Sequence, residues 1–113
     1  MRRGDVWLIN LDPAAGAEIK KTRPAVIVND DAVGILPLRV IVPITEWKDR
    51  YAVAPWMVPL NPDAQNGLHK LSAADTFQVR SLSLSRFVQQ LGRLSEIAME
   101  EITRALALVL AID

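Results

Sequence analysis

Among its 113 residues the chain has no cysteine and a single histidine, His69. Without cysteine there are no disulfides, no thiol nucleophile and no Cys-based zinc site, and one histidine leaves little for a His-rich metal centre or a His-paired nucleophile. Net charge is missing too, because 13 Lys and Arg offset 13 Asp and Glu. A neutral chain does not coat nucleic acid by bulk attraction, so any anionic ligand has to be held by a local patch. No stretch approaches the ~18 consecutive apolar residues of a membrane span, and the first residues lack the apolar segment of a signal peptide. These absences predict a cytosolic protein with no membrane contact. Internal repeats, low-complexity tracts and linkers are also absent. What is present is a sequence that is 50% apolar. That excludes global disorder and, at this length, predicts one domain, residues 1–113, whose core needs neither disulfide nor metal.

Residues 20–31, Lys-Lys-Thr-Arg-Pro-Ala-Val-Ile-Val-Asn-Asp-Asp, organise the rest. A cationic loop end runs through Pro24 directly into an apolar strand. Proline lacks an N–H, fixes its own φ and pushes the preceding residue into an extended conformation, so Arg23 is expected at the mouth of a buried strand. A guanidinium held there can grip a phosphate with paired hydrogen bonds. It stays protonated at working pH, which suits it to binding and charge stabilisation rather than proton abstraction. Taken alone, the Arg-Pro pair is also what an ordinary exposed arginine at a strand start looks like.

The other elements follow from period and punctuation. Residues 6–11 read as a first strand closed by Asp12-Pro13. Residues 14–22 are small and polar around Gly16, longer than the commonest hairpin loops, and read as a functional flap. The organising strand covers residues 25–29. Asp30, Asp31 and Gly34 mark a turn, and residues 38–44 a third strand in which Pro43 points to an edge, an end or a bulge. Thr45 follows where that strand leaves the sheet. Residues 46–50 read as a charged loop holding Trp47, and residues 52–60 as a strand-like segment interrupted by Pro55 and Pro59. Residues 68–71 and 76–82 alternate as half-buried strands do, the second placing Gln78 and Arg80 on one face. A short helical turn at 85–87 and a last strand at 89–94 complete the β part.

At Ser95 the period changes. Ser95 as N-cap, Glu96 in the first turn and a staple of Leu94 with Met99 open a helix over residues 96–111. Ala98, Ile102, Ala105, Leu106, Val109 and Leu110 recur along its apolar side. The fold class expected is therefore mainly β with a C-terminal α-helix, a small, strongly bent antiparallel β-barrel with the helix packed against it. The very apolar end of that helix points to a homodimer, the alternative being that the same run seals the core of the monomer.

Several segments, in this order, resemble the MazF/PemK (Kid) toxins of type II toxin–antitoxin systems. They are Arg3-Gly4-Asp5-Val6-Trp7, Leu11-Asp12-Pro13 with Gly16 and Glu18, Thr22-Arg23-Pro24 leading into Ala-Val-Ile-Val, and Val40-Ile41-Val42-Pro43-Ile44-Thr45. Asn66-Gly67-Leu68, Gln78-Val79-Arg80 and the closing helix extend the likeness over essentially the whole chain. The resemblance implies an SH3-like barrel, homodimeric, that cuts single-stranded RNA at short motifs without metal or other cofactor. It also implies a cognate antitoxin whose disordered C-terminal segment lies in the RNA groove, and DNA binding together with that antitoxin. Arg23 and Thr45 are its catalytic pair by the same resemblance.

Such chemistry fits a chain with no obvious nucleophile, since the substrate's own 2′-OH can attack its phosphate. The expected products are a 2′,3′-cyclic phosphate and a 5′-hydroxyl. Asp75 and His69 are the acid and base candidates, and Ala17 stands where some family members have a histidine. Lys20, Lys21, Lys48, Arg50, Lys70 and Arg80 could contact phosphates, Trp47 or Phe77 could stack a base, and Gln78 could read a base edge. Two other readings stand beside this one. A non-enzymatic gyrase poison of similar fold needs a Trp-Gly-Ile-like tail, whereas this chain ends Leu110-Ala-Ile-Asp113; an inactive relative would only bind the antitoxin.

Overall fold

In the computed structural model, which describes residues 1–112, seven strands are wrapped into a bent antiparallel sheet and closed off by one helix. Asp113, the last residue of the tail considered above, lies outside the described residues. The strands are β1 (Asp5–Asn10), β2 (Thr22–Ile27), β3 (Leu38–Glu46), β4 (Met57–Leu60), β5 (Ser72–Asp75), β6 (Arg80–Ser83) and β7 (Phe87–Arg93), followed by α1 (Glu96–Val109). Their order across the sheet is β4-β5-β3-β2-β1-β7, with β6 also paired to β3. Strand β3 is the spine. One of its edges pairs with β2, from Ala25 opposite Pro43 to Ile27 opposite Ile41. The other edge takes β6 along residues 38–41 and β5 along residues 44–46. The fully buried Pro43 sits between those two partners on that edge, where a missing N–H interrupts no ladder.

The apolar run of β2 is unbroken because both its faces are covered. Val26 joins Val6, Val42, Ile44, Val58, Leu60, Ile102 and Ala105 in the cluster beneath the helix. Ala25 and Ile27 join Ile9, Leu11, Ile41 and Leu82 in a second cluster on the opposite side. The helix starts as expected, the Ser95 side chain accepting from Ala98 N, and buries Ile102 and Ala105. It ends at Val109, two residues short of expectation, with Ala111 in the left-handed region at φ 57°. Among the described residues no helix is long and apolar enough to cross a membrane.

Three sequence-based assignments are corrected. Residues 52–60 supply only β4, preceded by a 3-10 turn at Asp49–Val53. Residues 68–71 are loop: the Asn66 side chain takes up Leu68 N, its Oδ1 accepting at 3.0 Å while Nδ2 donates to Asn61 O at 2.8 Å, and Leu71 O accepts from Trp47 N beyond the end of β3. The strand lies just beyond, in β5, where all four residues are buried. Finally, Thr76–Gln78 is a 3-10 turn with Asp75 as its cap, so Gln78 precedes the strand that carries Arg80 and does not share a strand face with it.

Candidate active site

Arg23 belongs to β2 just before the proline, and Ile9 of β1 lies opposite it. Continuing the β2–β3 register two residues outward sets Arg23 against Thr45, the point where β3 turns from β2 toward β5. The two residues accordingly line one cavity of about 280 Å³, with Glu46, Leu68, His69, Lys70 and Ser72 also in its wall. Arg23 is exposed. Its Nε donates to Lys20 O at 3.4 Å, and none of the ion pairs among the described residues involves it. Its charge is thus open to an anion. Thr45 is half-buried between Ala73 of β5 and the cavity.

His69 and Lys70 reach the cavity on the loop that Asn66 braces. Lys70 Nζ pairs with Glu46 at 3.3 Å, an exposed contact worth under about 1 kcal/mol that an incoming phosphate can displace. The loop is also tied to the far end of β3 through Trp47 N, which donates to Leu71 O at 3.0 Å. Trp47 itself is half-buried and meets Tyr51 edge-on at 5.8 Å, with the Arg50 guanidinium 5.4 Å from the Tyr51 ring centre. Lys48 and Arg50 are exposed beside it, and Lys20 and Lys21 are exposed at the loop end next to Arg23.

Asp75, Gln78, Arg80 and Phe77 stand apart from this cavity. Phe77, Gln78 and Arg80 line a second hollow of about 330 Å³ with Glu18 and Ile19. Phe77 is 66% exposed and packs against Trp56, ring centres 5.9 Å apart. Asp75 is buried, and accepts from Phe77 N at 3.2 Å and from Gln78 Nε2 at 3.1 Å. Sequence reasoning missed Glu46 and Ser72 in the first cavity and the Trp56 partner of Phe77. The first two follow once β5 is known, since Glu46 pairs with Ser72.

Burial pushes the Asp75 carboxyl above the ordinary aspartate range, against the lowering effect of its hydrogen bonds from Phe77 and Gln78. The sign follows from which state holds the proton more tightly. Here the folded state does, so Asp75 supports the fold at pH below its unfolded value, and that support is lost as pH rises through the raised folded value. We expect the Asp75 carboxyl carbon, followed by NMR, to titrate above the ordinary aspartate value. A midpoint at or below that value would contradict the dominance of burial.

The family described as "PemK-like, MazF-like toxin of type II toxin-antitoxin system" matches residues 2–110. The chain is similar to "Endoribonuclease MazF9" of Mycobacterium tuberculosis, 34% identical over 114 residues, covering 96% of this chain and 94% of that one. Among solved structures it is similar to MazF from Deinococcus radiodurans, with TM-score 0.81 at 26% identity over 98% of this chain and 96% of that one. A MazE-MazF structure from the same organism matches with TM-score 0.75 at 25% identity, covering 100% of this chain and 97% of that one.

Proposed function

The chain belongs to the PemK-like, MazF-like toxins of type II toxin–antitoxin systems, and we propose that it is an endoribonuclease that cuts single-stranded RNA without a metal ion. The observation that supports this most is the meeting of Arg23 and Thr45 in one open, cation-rimmed cavity. In this reading the substrate's 2′-oxygen attacks the adjacent phosphorus while the bond to the 5′-oxygen breaks. Its proton leaves to a base, and the departing 5′-oxygen gains one. Arg23 binds the phosphoryl oxygens through two donors at once, and the Thr45 hydroxyl donates to a non-bridging oxygen. Both strengthen as charge builds in the transition state. Of the two acid and base candidates we assign the proton transfer to His69, which lines the cavity, and give Asp75 no step.

Lys70 lines the cavity, and Lys20, Lys21, Lys48 and Arg50 are exposed on the segments next to Arg23 and Trp47. We assign these five as phosphate contacts and Trp47 as a stacking surface for a splayed base. The partner is an antitoxin, which we propose covers this same surface with an acidic segment that orders on binding. The homodimer is supported by apolar side chains left exposed on the loop between β2 and β3, among them Val33, Ile35 and Leu36. Incubating the purified chain with a long single-stranded RNA in EDTA tests the reading. Cuts at one short motif, with 2′,3′-cyclic phosphate ends, are expected. Intact RNA, with the protein folded, would leave an antitoxin-binding protein without nuclease activity.

A further inference from the structure

The loop over residues 11–21 precedes Arg23 directly, and what holds it bears on the reading just given. Its neck is closed by Leu11 N donating to Lys21 O and Lys21 N donating to Asp12 Oδ1, both at 2.9 Å. The middle of the loop is held from across the chain. Gln78 Oε1 accepts from Ile19 N at 2.6 Å, and Nε2 donates to Ala17 O at 3.3 Å and to Asp75 Oδ2 at 3.1 Å. Only one orientation of the Gln78 amide works, because a carboxylate and a carbonyl face its nitrogen and an N–H faces its oxygen. The buried Asp75, itself pinned by Phe77 N, therefore selects the orientation that grips the loop. One residue beyond Ile19, the Lys20 carbonyl accepts from Arg23 Nε.

We propose that Gln78, oriented by Asp75, is a positioning residue that latches this loop and so fixes the Arg23 guanidinium. The proposal rests on the phosphate role given to Arg23 above. It gives a task to two residues that stand outside the cavity, and their polar groups are spent on the loop rather than on a base. Ile19 adds an apolar contact to the second core cluster, so the latch has a greasy half and a polar half. The polar half is the one that determines where the Lys20 carbonyl points.

The test exchanges the two functional groups. Gln78→Glu sets a carboxylate against Asp75 and the Ala17 carbonyl. Asp75→Asn sets one amide N–H₂ against another. Asp75→Asn combined with Gln78→Glu restores a carboxamide–carboxylate pair with the donor on the other side and the oxygen toward Ile19 N retained. Each single variant is expected to raise the rate of trypsin cutting after Lys20 and Lys21 about tenfold. Each should lower kcat/KM on single-stranded RNA about ten- to hundredfold, mostly through kcat, because a misplaced guanidinium binds RNA but meets the transition state poorly. The double variant should move both readouts back toward wild type.

Singles that match wild type in loop protection, or a double no better than the worse single, would overturn the latch. If a charged variant fails to fold, Gln78→Met keeps the bulk without the hydrogen bonds. It should expose the loop equally, and full protection in it would overturn the proposal. Trypsin protection is read without RNA. A chain that cuts no RNA therefore fails the nuclease reading while the protection data still decide the latch.

Discussion

Replacing Arg23 with alanine is expected to lower RNA cleavage about 100- to 1,000-fold while the protein folds as before. The first half follows from preorganisation: a donor aimed at charge that develops in the transition state acts mainly on kcat, and removal of one such donor typically costs that much. The second half follows from what Arg23 does not do. It is exposed, and among the described residues its side chain makes one hydrogen bond, the 3.4 Å contact to Lys20 O, and has no carboxylate partner. Surface substitutions of that kind stay within about 0.5 kcal/mol. Arg23→Lys sharpens the expectation, because it keeps the charge but loses the planar fork. It should bind RNA nearly as well as wild type and still cleave it far more slowly. Single-turnover cleavage with a separate binding measurement decides the matter. An alanine variant cutting within tenfold of wild type would remove Arg23 from the transition state.

Local signals explain which parts of the molecule can be read from the residues alone. Strands β1, β2 and β3 are runs of β-branched and apolar residues bounded by Pro, Gly and Asp, and α1 starts at a serine cap and repeats every three to four residues. Each announces itself within its own window. Strand β5 does not, because Ser72-Ala73-Ala74-Asp75 is buried on both faces and so shows no alternation, and alanine is a poor strand former. Conversely, the alternation at residues 68–71 is real but belongs to a loop, whose first N–H, that of Leu68, is taken up by the Asn66 side chain. Arg23 and Thr45 can be placed because each lies at the end of a readable strand, but position alone fits an ordinary exposed arginine and a strand-end threonine, and what pairs them in the sequence is the family resemblance. The coupling of Asp75 and Gln78 to the loop is not legible. It links positions 59 and 61 residues apart in the chain, and nothing in either segment names the other.

The Asn66-Gly67 turn and β7 supply the largest structural effect. Gly92 lies in β7 opposite Val6 of β1, and a Cβ built on it would run into the Gln65 carbonyl oxygen, 2.6 Å from Asn66 C and 2.9 Å from Gly67 N. All three obstacles are backbone, so no rotamer change relieves them. Gly92 is not among the residues with positive φ, so the demand for glycine here is one of space alone. Alanine at this position must push the loop off β7. That breaks the 2.8 Å bond from Arg93 N to Gln65 O and draws Leu68 out of the core. Overpacking against rigid neighbours costs about 3 kcal/mol, which for a chain of this size lowers Tm by on the order of 10 °C. Gly16→Ala is the control. Gly16 has φ +58° but nothing within 4 Å of its Cβ position, so it carries only the left-handed strain of about 1–2 kcal/mol. Chemical unfolding of both variants should show Gly92→Ala as clearly the less stable. In Gly92→Ala the loop that carries His69 and Lys70 is displaced as well, so its cleavage should fall by more than its loss of folded protein explains. A Gly92→Ala protein as stable as wild type would mean that the turn and β7 are not packed backbone against backbone.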